Sequence, residues 1–273
     1  MNRIEEKFRQ LKRNGKKAFI PYITCGFPDL RTTEKLIPAM EKAGADIIEL
    51  GVPFSDPIAD GPVIQFSSQE ALKKKVNLRK ILKMVSGLRR RRTQVPVVLM
   101  GYYNSICAYG EKKFLRDAAK AGIDGLIIAD LPADEGKAFS RQAAERGIDV
   151  IFLAAPTSGA QRLKKIARLS RGYVYYVSLT GVTGARKELP PGLREKIRSV
   201  CRLTSTPVCV GFGISKPGHI RSLEDAGDGI IVGSAIINIM KKNAGRRRRD
   251  LVRKTAEFVG KLAGALTGAC GER

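Results

Sequence analysis

The chain alternates short apolar runs rich in β-branched residues with longer stretches in which apolar residues recur at helical spacing. Runs of the first kind cover residues 18–23, 46–50, 95–101, 125–129, 148–153, 173–177, 207–211 and 228–232, which predicts eight strands. Amphipathic helical patterns lie between them, as at residues 32–43, 111–121 and 135–146. Many such stretches close on a glycine, at Gly44, Gly122, Gly147 and Gly227. A glycine there is a stop signal, because it accepts the left-handed conformation that ends a helix. Eight strand–helix units predict an α/β fold of the (β/α)8 TIM-barrel type, one domain over residues 1–273. An open doubly wound sheet with extra strands is the alternative. Ahead of the first strand, Ile4, Phe8 and Leu11 share one helical stripe, which predicts an extra N-terminal helix across one mouth of the barrel.

Barrel enzymes place their chemistry in the loops at the C-terminal ends of the strands, and two of these loops are long. The first, residues 51–76, follows the second strand and holds the run Gly51-Val52-Pro53-Phe54-Ser55-Asp56-Pro57-Ile58-Ala59-Asp60-Gly61-Pro62. Glu49 stands just ahead of it and Asp60 near its far end, one on a strand end and one on a proline-stiffened loop, an arrangement suited to proton transfer at two points of one small molecule. A solvated turn would use the same residue types. The second long loop, from Leu179 through Pro191, follows the sixth strand and carries Thr183 and Gly184, which suggests a lid. After the seventh and eighth strands come Gly211-Phe212-Gly213 and Gly233-Ser234, where barrels bind phosphate through backbone N–H groups and a helix N-terminus. Gly184 adds a further candidate donor.

No lysine falls within the predicted strands, which argues against Schiff-base chemistry and leaves carboxylates as the acid–base groups. Asp130, just past the fourth strand, is a third carboxylate, more in keeping with bracing a loop or capping the next helix. Tyr102 and Tyr175 lie near strand ends, where they can line a pocket or pack. The single histidine, His219, is expected at the surface near a helix start.

Composition bounds the remaining classes. With 43% hydrophobic residues the chain can bury a large core, and with 6% aromatics and no tryptophan that core is aliphatic. The formal charge of +24 includes the runs at residues 89–92 and 246–249. Aromatic residues are not interleaved with these runs, and no RNA-binding signature or zinc knuckle appears, so solvated helical faces are expected rather than nucleic-acid contact. The five cysteines are odd in number and irregular in spacing, which argues against a disulfide framework or a structural metal site. A mixed-charge N-terminus and the lack of a long apolar run predict a soluble, cytoplasmic protein with no membrane segment.

The run Glu49-Leu50-Gly51-Val52-Pro53-Phe54-Ser55-Asp56-Pro57-Ile58-Ala59-Asp60-Gly61-Pro62 resembles the signature of the tryptophan synthase alpha subunit family. The resemblance extends through residues 22–28, 100–104, 129–132, 155–157, 181–186, 211–215 and 232–235, nearly the whole chain. It implies retro-aldol cleavage of indole-3-glycerol phosphate to indole and D-glyceraldehyde 3-phosphate. Glu49 would protonate indole C3 and take the glyceryl hydroxyl proton, and Asp60 would accept or stabilise the indole N–H proton. By the same match Tyr22, Met100, Tyr102, Ile127, Tyr175 and Phe212 would line the indole pocket. Gly184, Gly213, Gly233 and Ser234 would hold the phosphate, and Thr183 would help close the sixth loop over Asp60. The resemblance implies no cofactor in this chain and no metal. It also implies a beta-subunit partner in an α2β2 complex, which carries pyridoxal phosphate and receives the indole. Ser55, Asp56, Pro57 and Pro132 would touch that partner. Two departures from the family pattern stand out: Ser105 in place of a usual proline, near the partner surface, and a turn at residues 226–229 one residue short. A lyase that releases free indole without a partner, or a basic barrel that binds nucleic acid, are the alternatives.

Overall fold

The computed structural model describes residues 2–177, 191–211, 213–223 and 225–267. Its strands are β1 (Ala18–Thr24), β2 (Ile48–Gly51), β3 (Val97–Gly101), β4 (Gly125–Ile128), β5 (Asp149–Ile151), β6 (Leu153–Ala154), β7 (Val174–Val177), β8 (Val208–Gly211) and β9 (Gly229–Val232). All pair in parallel, in the order β5-β4-β3-β2-β1-β9-β8-β7-β6.

Seven of the eight predicted strands are found as single elements, and the segment 148–153 is the exception. It divides at Phe152 into β5, which pairs with β4, and β6, which pairs with β7. One stretch of chain therefore joins the two ends of the sheet and closes the barrel. Closure requires staggered register, so this segment meets one neighbour with its first half and the other with its second. The open-sheet alternative is thereby set aside.

The helices surround this wall. Asp29 caps the helix Leu30–Lys42 by accepting the Thr32 N–H at 2.8 Å. The helix Glu111–Ala121 ends at Gly122, whose φ of 81° is left-handed. The stretch expected at 135–146 forms a shorter helix, Lys137–Ala144, because the N–H groups of Glu135 and Gly136 turn back to the Pro132 carbonyl. No helix among the described residues is long and apolar enough to cross a membrane.

The N-terminal helix, Arg3–Arg13, plugs the mouth opposite the strand C-termini. It buries Ile4, Phe8 and Leu11 among the inward side chains Ala18, Ile20, Val98 and Ile127, at about 2 kcal/mol for each apolar side chain taken from water. The Asn2 side chain accepts the Ile4 N–H and donates to the carbonyls of Asp124 and Gly147. Buried Asp124 holds Arg3 at 2.8 Å and Arg89 at 2.6 Å. Arg89, expected on a solvated face, is turned inward instead. It also donates to the carbonyls of Gly122, Thr93 and Val95, tying a helix end to the barrel floor.

Candidate active site

Glu49 lies in β2 and points into the barrel, in register with Tyr22 on β1 and Val98 on β3. Its side chain is wholly buried. The Tyr173 hydroxyl donates to its Oε1 at 2.6 Å, while Oε2 is the one buried side-chain polar atom among the described residues with no protein partner. Burial in this apolar channel pushes its pKa up to about 8, against the lowering effect of the Tyr173 bond.

Asp60 comes from the loop after β2. Its N–H donates to the Pro57 carbonyl at 3.0 Å, closing a tight turn, and the Gln65 side-chain amide donates to its carbonyl at 2.8 Å. Gly61 and Pro62 then start the helix Pro62–Lys73. The Tyr102 hydroxyl donates to Asp60 Oδ2 at 3.2 Å and accepts the Ala59 N–H at 3.0 Å, while its ring stacks on Phe54 at 5.0 Å. Burial raises the Asp60 pKa to about 6, with Tyr102 opposing the shift. The fields of Asp60 and Glu49 both reach the buried hydroxyls of Tyr22 and Tyr175, so the two carboxyl groups share one chamber.

The chamber wall follows from register. Met100 on β3 lies beside Gly51 and Ile127, and Tyr175 on β7 lies beside Leu153 and Cys209. Tyr22 crosses Gly51 so closely that an added Cβ would stand 2.0 Å from its hydroxyl, and Gly211 bears the same relation to Tyr175 at 2.2 Å. Gly213, with φ 80°, and Gly233, at the start of the helix Ser234–Asn243 and against the Tyr22 ring, occupy the ends of β8 and β9. Phe212, Thr183 and Gly184 lie outside the described residues. On the outer side of the loop, Ser55, Asp56 and Pro132 are exposed and Pro57 half-buried. Ile58 beside them is 81% exposed, the one exposed large hydrophobic among the described residues.

Asp130 braces the loop after β3 by accepting the Tyr103 N–H at 2.7 Å. His219 departs from expectation: it is buried, and its Nδ1 accepts the Ser215 N–H at 3.4 Å. The helix Pro217–Leu223 folds it back against the loop after β8. No group of three or more potential metal ligands forms among the described residues.

A family model described as Tryptophan synthase alpha chain matches residues 8–267. The chain belongs to the tryptophan synthase alpha chain family. Its sequence is 47% identical over 266 residues to the Tryptophan synthase alpha chain of Geobacter sulfurreducens, covering 97% of this chain and 99% of that one. The corresponding protein of Caldanaerobacter subterraneus is 48% identical over 259 residues, 95% and 97% of the two chains. Among solved structures, tryptophan synthase subunit alpha from Legionella pneumophila superposes with a TM-score of 0.90 at 37% identity, over 98% and 99% of the chains. A chain of the tryptophan synthase a2b2 complex from the hyperthermophile Pyrococcus furiosus does so with 0.84 at 41% identity, over 91% and 99%. The activity of the family is a lyase reaction, the cleavage of indole-3-glycerol phosphate in tryptophan biosynthesis, and this chain is an enzyme of that class.

Of the residues that shape the chamber, Tyr173 was not among the candidates drawn from the sequence. Tyr173 was available from the alternation in Tyr173-Val174-Tyr175-Tyr176-Val177, which sends residues 173 and 175 to one face. Gly51 and Gly211 stood in the loop motifs, but their part in the chamber carried no sequence signal, since only the crossing tyrosine rings explain it.

Proposed function

We propose that Glu49 and Asp60 perform the carbon–carbon cleavage as an acid and a base held in opposite protonation states. With a pKa of about 8, Glu49 carries a proton at neutral pH and delivers it to indole C3. Asp60, at about 6, is ionised there and accepts the hydrogen of the indole N–H. Protonation at C3 turns the ring into an electron sink. The Glu49 carboxylate then takes the proton from the glyceryl hydroxyl, its O–H pair forms the aldehyde carbonyl, and the C–C pair returns to the indole ring. Tyr22, Met100, Tyr102, Ile127, Tyr175 and Phe212 line the indole side. Gly184, Gly213, Gly233 and Ser234 bind the phosphate, and Thr183 helps close the sixth loop.

The observation that carries this reading is the half-satisfied carboxyl of Glu49, wholly buried with one oxygen on Tyr173 and the other unpartnered. Indole release from indole-3-glycerol phosphate tests it. Glu49→Gln is expected to abolish release while leaving the circular dichroism spectrum and substrate binding intact; full activity in that variant would overturn the assignment.

The exposed Ile58, with Ser55, Asp56, Pro57 and Pro132, supports docking of a beta subunit that carries pyridoxal phosphate and takes up the indole. Adding a beta subunit is expected to raise the cleavage rate. A rate unchanged by saturating beta subunit would favour a lyase that acts alone.

A further inference from the structure

Below the two carboxyl groups, the N-terminal helix enters the barrel from the opposite mouth. Ile4 reaches Gly125 and Gly172, where an added Cβ would stand 2.9 and 3.1 Å from its side-chain carbons. One turn on, the Phe8 ring meets the Tyr173 ring at a centroid distance of 5.9 Å and an angle of 54°. Tyr173 is itself fully buried, and among the described residues its hydroxyl is the one group bonded to the Glu49 carboxyl. The side chain that orients Glu49 therefore rests on the plug.

We infer that Phe8 is a positioning residue for the lyase reaction: through the Tyr173 ring it sets the orientation of the Glu49 carboxyl toward the substrate. This rests on Glu49 being the acid–base group. Tyr173 stands one residue ahead of β7, so the sheet fixes only where its backbone lies, and its ring direction depends on what packs against it. Removing the Phe8 ring opens space into which Tyr173 can turn, and a hydrogen bond of 2.6 Å does not survive a shift of about 1 Å. The plug itself stays docked, because Asn2, Arg3 and Lys7 anchor it to Asp124, Gly147 and Asp46 without Phe8.

The titratable groups facing Glu49 and Tyr173 are Tyr22 from β1, Tyr175 from β7, Cys209 from β8 and Asp60 from the loop after β2. The plug's inward stripe, Ile4, Phe8 and Leu11, adds only apolar surface; its charged residues Arg3, Glu5 and Lys7 face Asp124, Asp149 and Asp46 at the mouth. A variant at Phe8 thus leaves every charge around Glu49 in place.

The test is the pH profile of kcat for Phe8→Ala, Phe8→Leu, Tyr173→Phe and the paired variants. Phe8→Ala is expected to lower kcat roughly 10- to 100-fold with KM little changed, the loss typical of a misplaced catalytic group. Its alkaline limb should move upward, as in Tyr173→Phe, because both release the bond that favours the Glu49 carboxylate. In the Tyr173→Phe background, Phe8→Ala should change neither kcat nor the limb. An unaltered profile in the folded Phe8→Ala protein, or the same effect in both backgrounds, would overturn the inference. If the alanine variant does not fold, Phe8→Leu is read in the same way, with a smaller effect expected only when Tyr173 is present. Glu49→Gln runs alongside: activity in that variant defeats the acid–base assignment itself, whereas an inactive Glu49→Gln with silent Phe8 variants defeats only the role of Phe8.

Discussion

Replacing Glu49 should make this protein more stable, by an amount that grows with pH. Glu49 is wholly buried, and burial raises its pKa from an ordinary 4.5 to about 8. Below pH 4.5 the group is neutral in both the folded and the unfolded chain, and its contribution to stability is fully retained. Between the two values the unfolded chain ionises while the folded chain keeps its proton, so stability falls as pH rises. At about 1.4 kcal/mol per pH unit the whole interval amounts to roughly 5 kcal/mol, most of it between pH 5 and pH 8. In Glu49→Gln the side chain is neutral throughout and keeps an oxygen for the Tyr173 hydroxyl. The amide leaves two donors without a partner where the neutral carboxyl leaves one, a cost that does not vary with pH and so drops out of the comparison between pH values. The elevated pKa of Asp60 is common to both proteins and cancels as well. Urea unfolding of wild type and Glu49→Gln at pH 5 and pH 8 measures the effect. The variant should gain on wild type by about 3 kcal/mol from the lower to the higher pH. A stability difference that does not change with pH would show that Glu49 ionises as freely inside the barrel as outside it.

Three further outcomes follow from the same geometry. Tyr102→Phe removes the 3.2 Å bond to Asp60, so the Asp60 pKa should rise further and the acidic limb of kcat move to higher pH; a stationary limb would dissociate the pair. Gly51→Ala places a carbon 2.0 Å from the Tyr22 hydroxyl and should lower kcat/KM about tenfold or more, whereas Gly159→Ala, with nothing within 4 Å of the added carbon, should leave it unchanged. Asp124→Ala strands the largely buried Arg89 without its partner and should cost about 3–5 kcal/mol in urea unfolding; an unchanged midpoint would refute this.

The path from sequence to site was uneven, for reasons visible in particular residues. The barrel, the N-terminal plug and the placement of Glu49 at a strand end were all legible, because apolar periodicity and glycine stops are local signals. The division of the fifth strand at Phe152 was not, since the pairing partners of its two halves lie on strands distant in sequence. Arg89 read as one of four solvated arginines until the fold placed Asp124 beside it. His219 read as a surface residue until its helix folded it back onto Ser215.

The linear chain was enough for the architecture and for pairing Glu49 with Asp60 as candidate acid–base groups. Patterning fixes which residues enter a strand, and the family motif from Glu49 to Asp60 is contiguous along the chain. The tertiary structure alone decided their protonation and orientation. Both depend on burial and on hydroxyls brought in beside other strands: Tyr173, just ahead of β7 on the far side of the barrel, binds Glu49, and Tyr102, just past β3, binds Asp60. A pKa is set by the dielectric and the partners around a group, and neither exists until the barrel has closed.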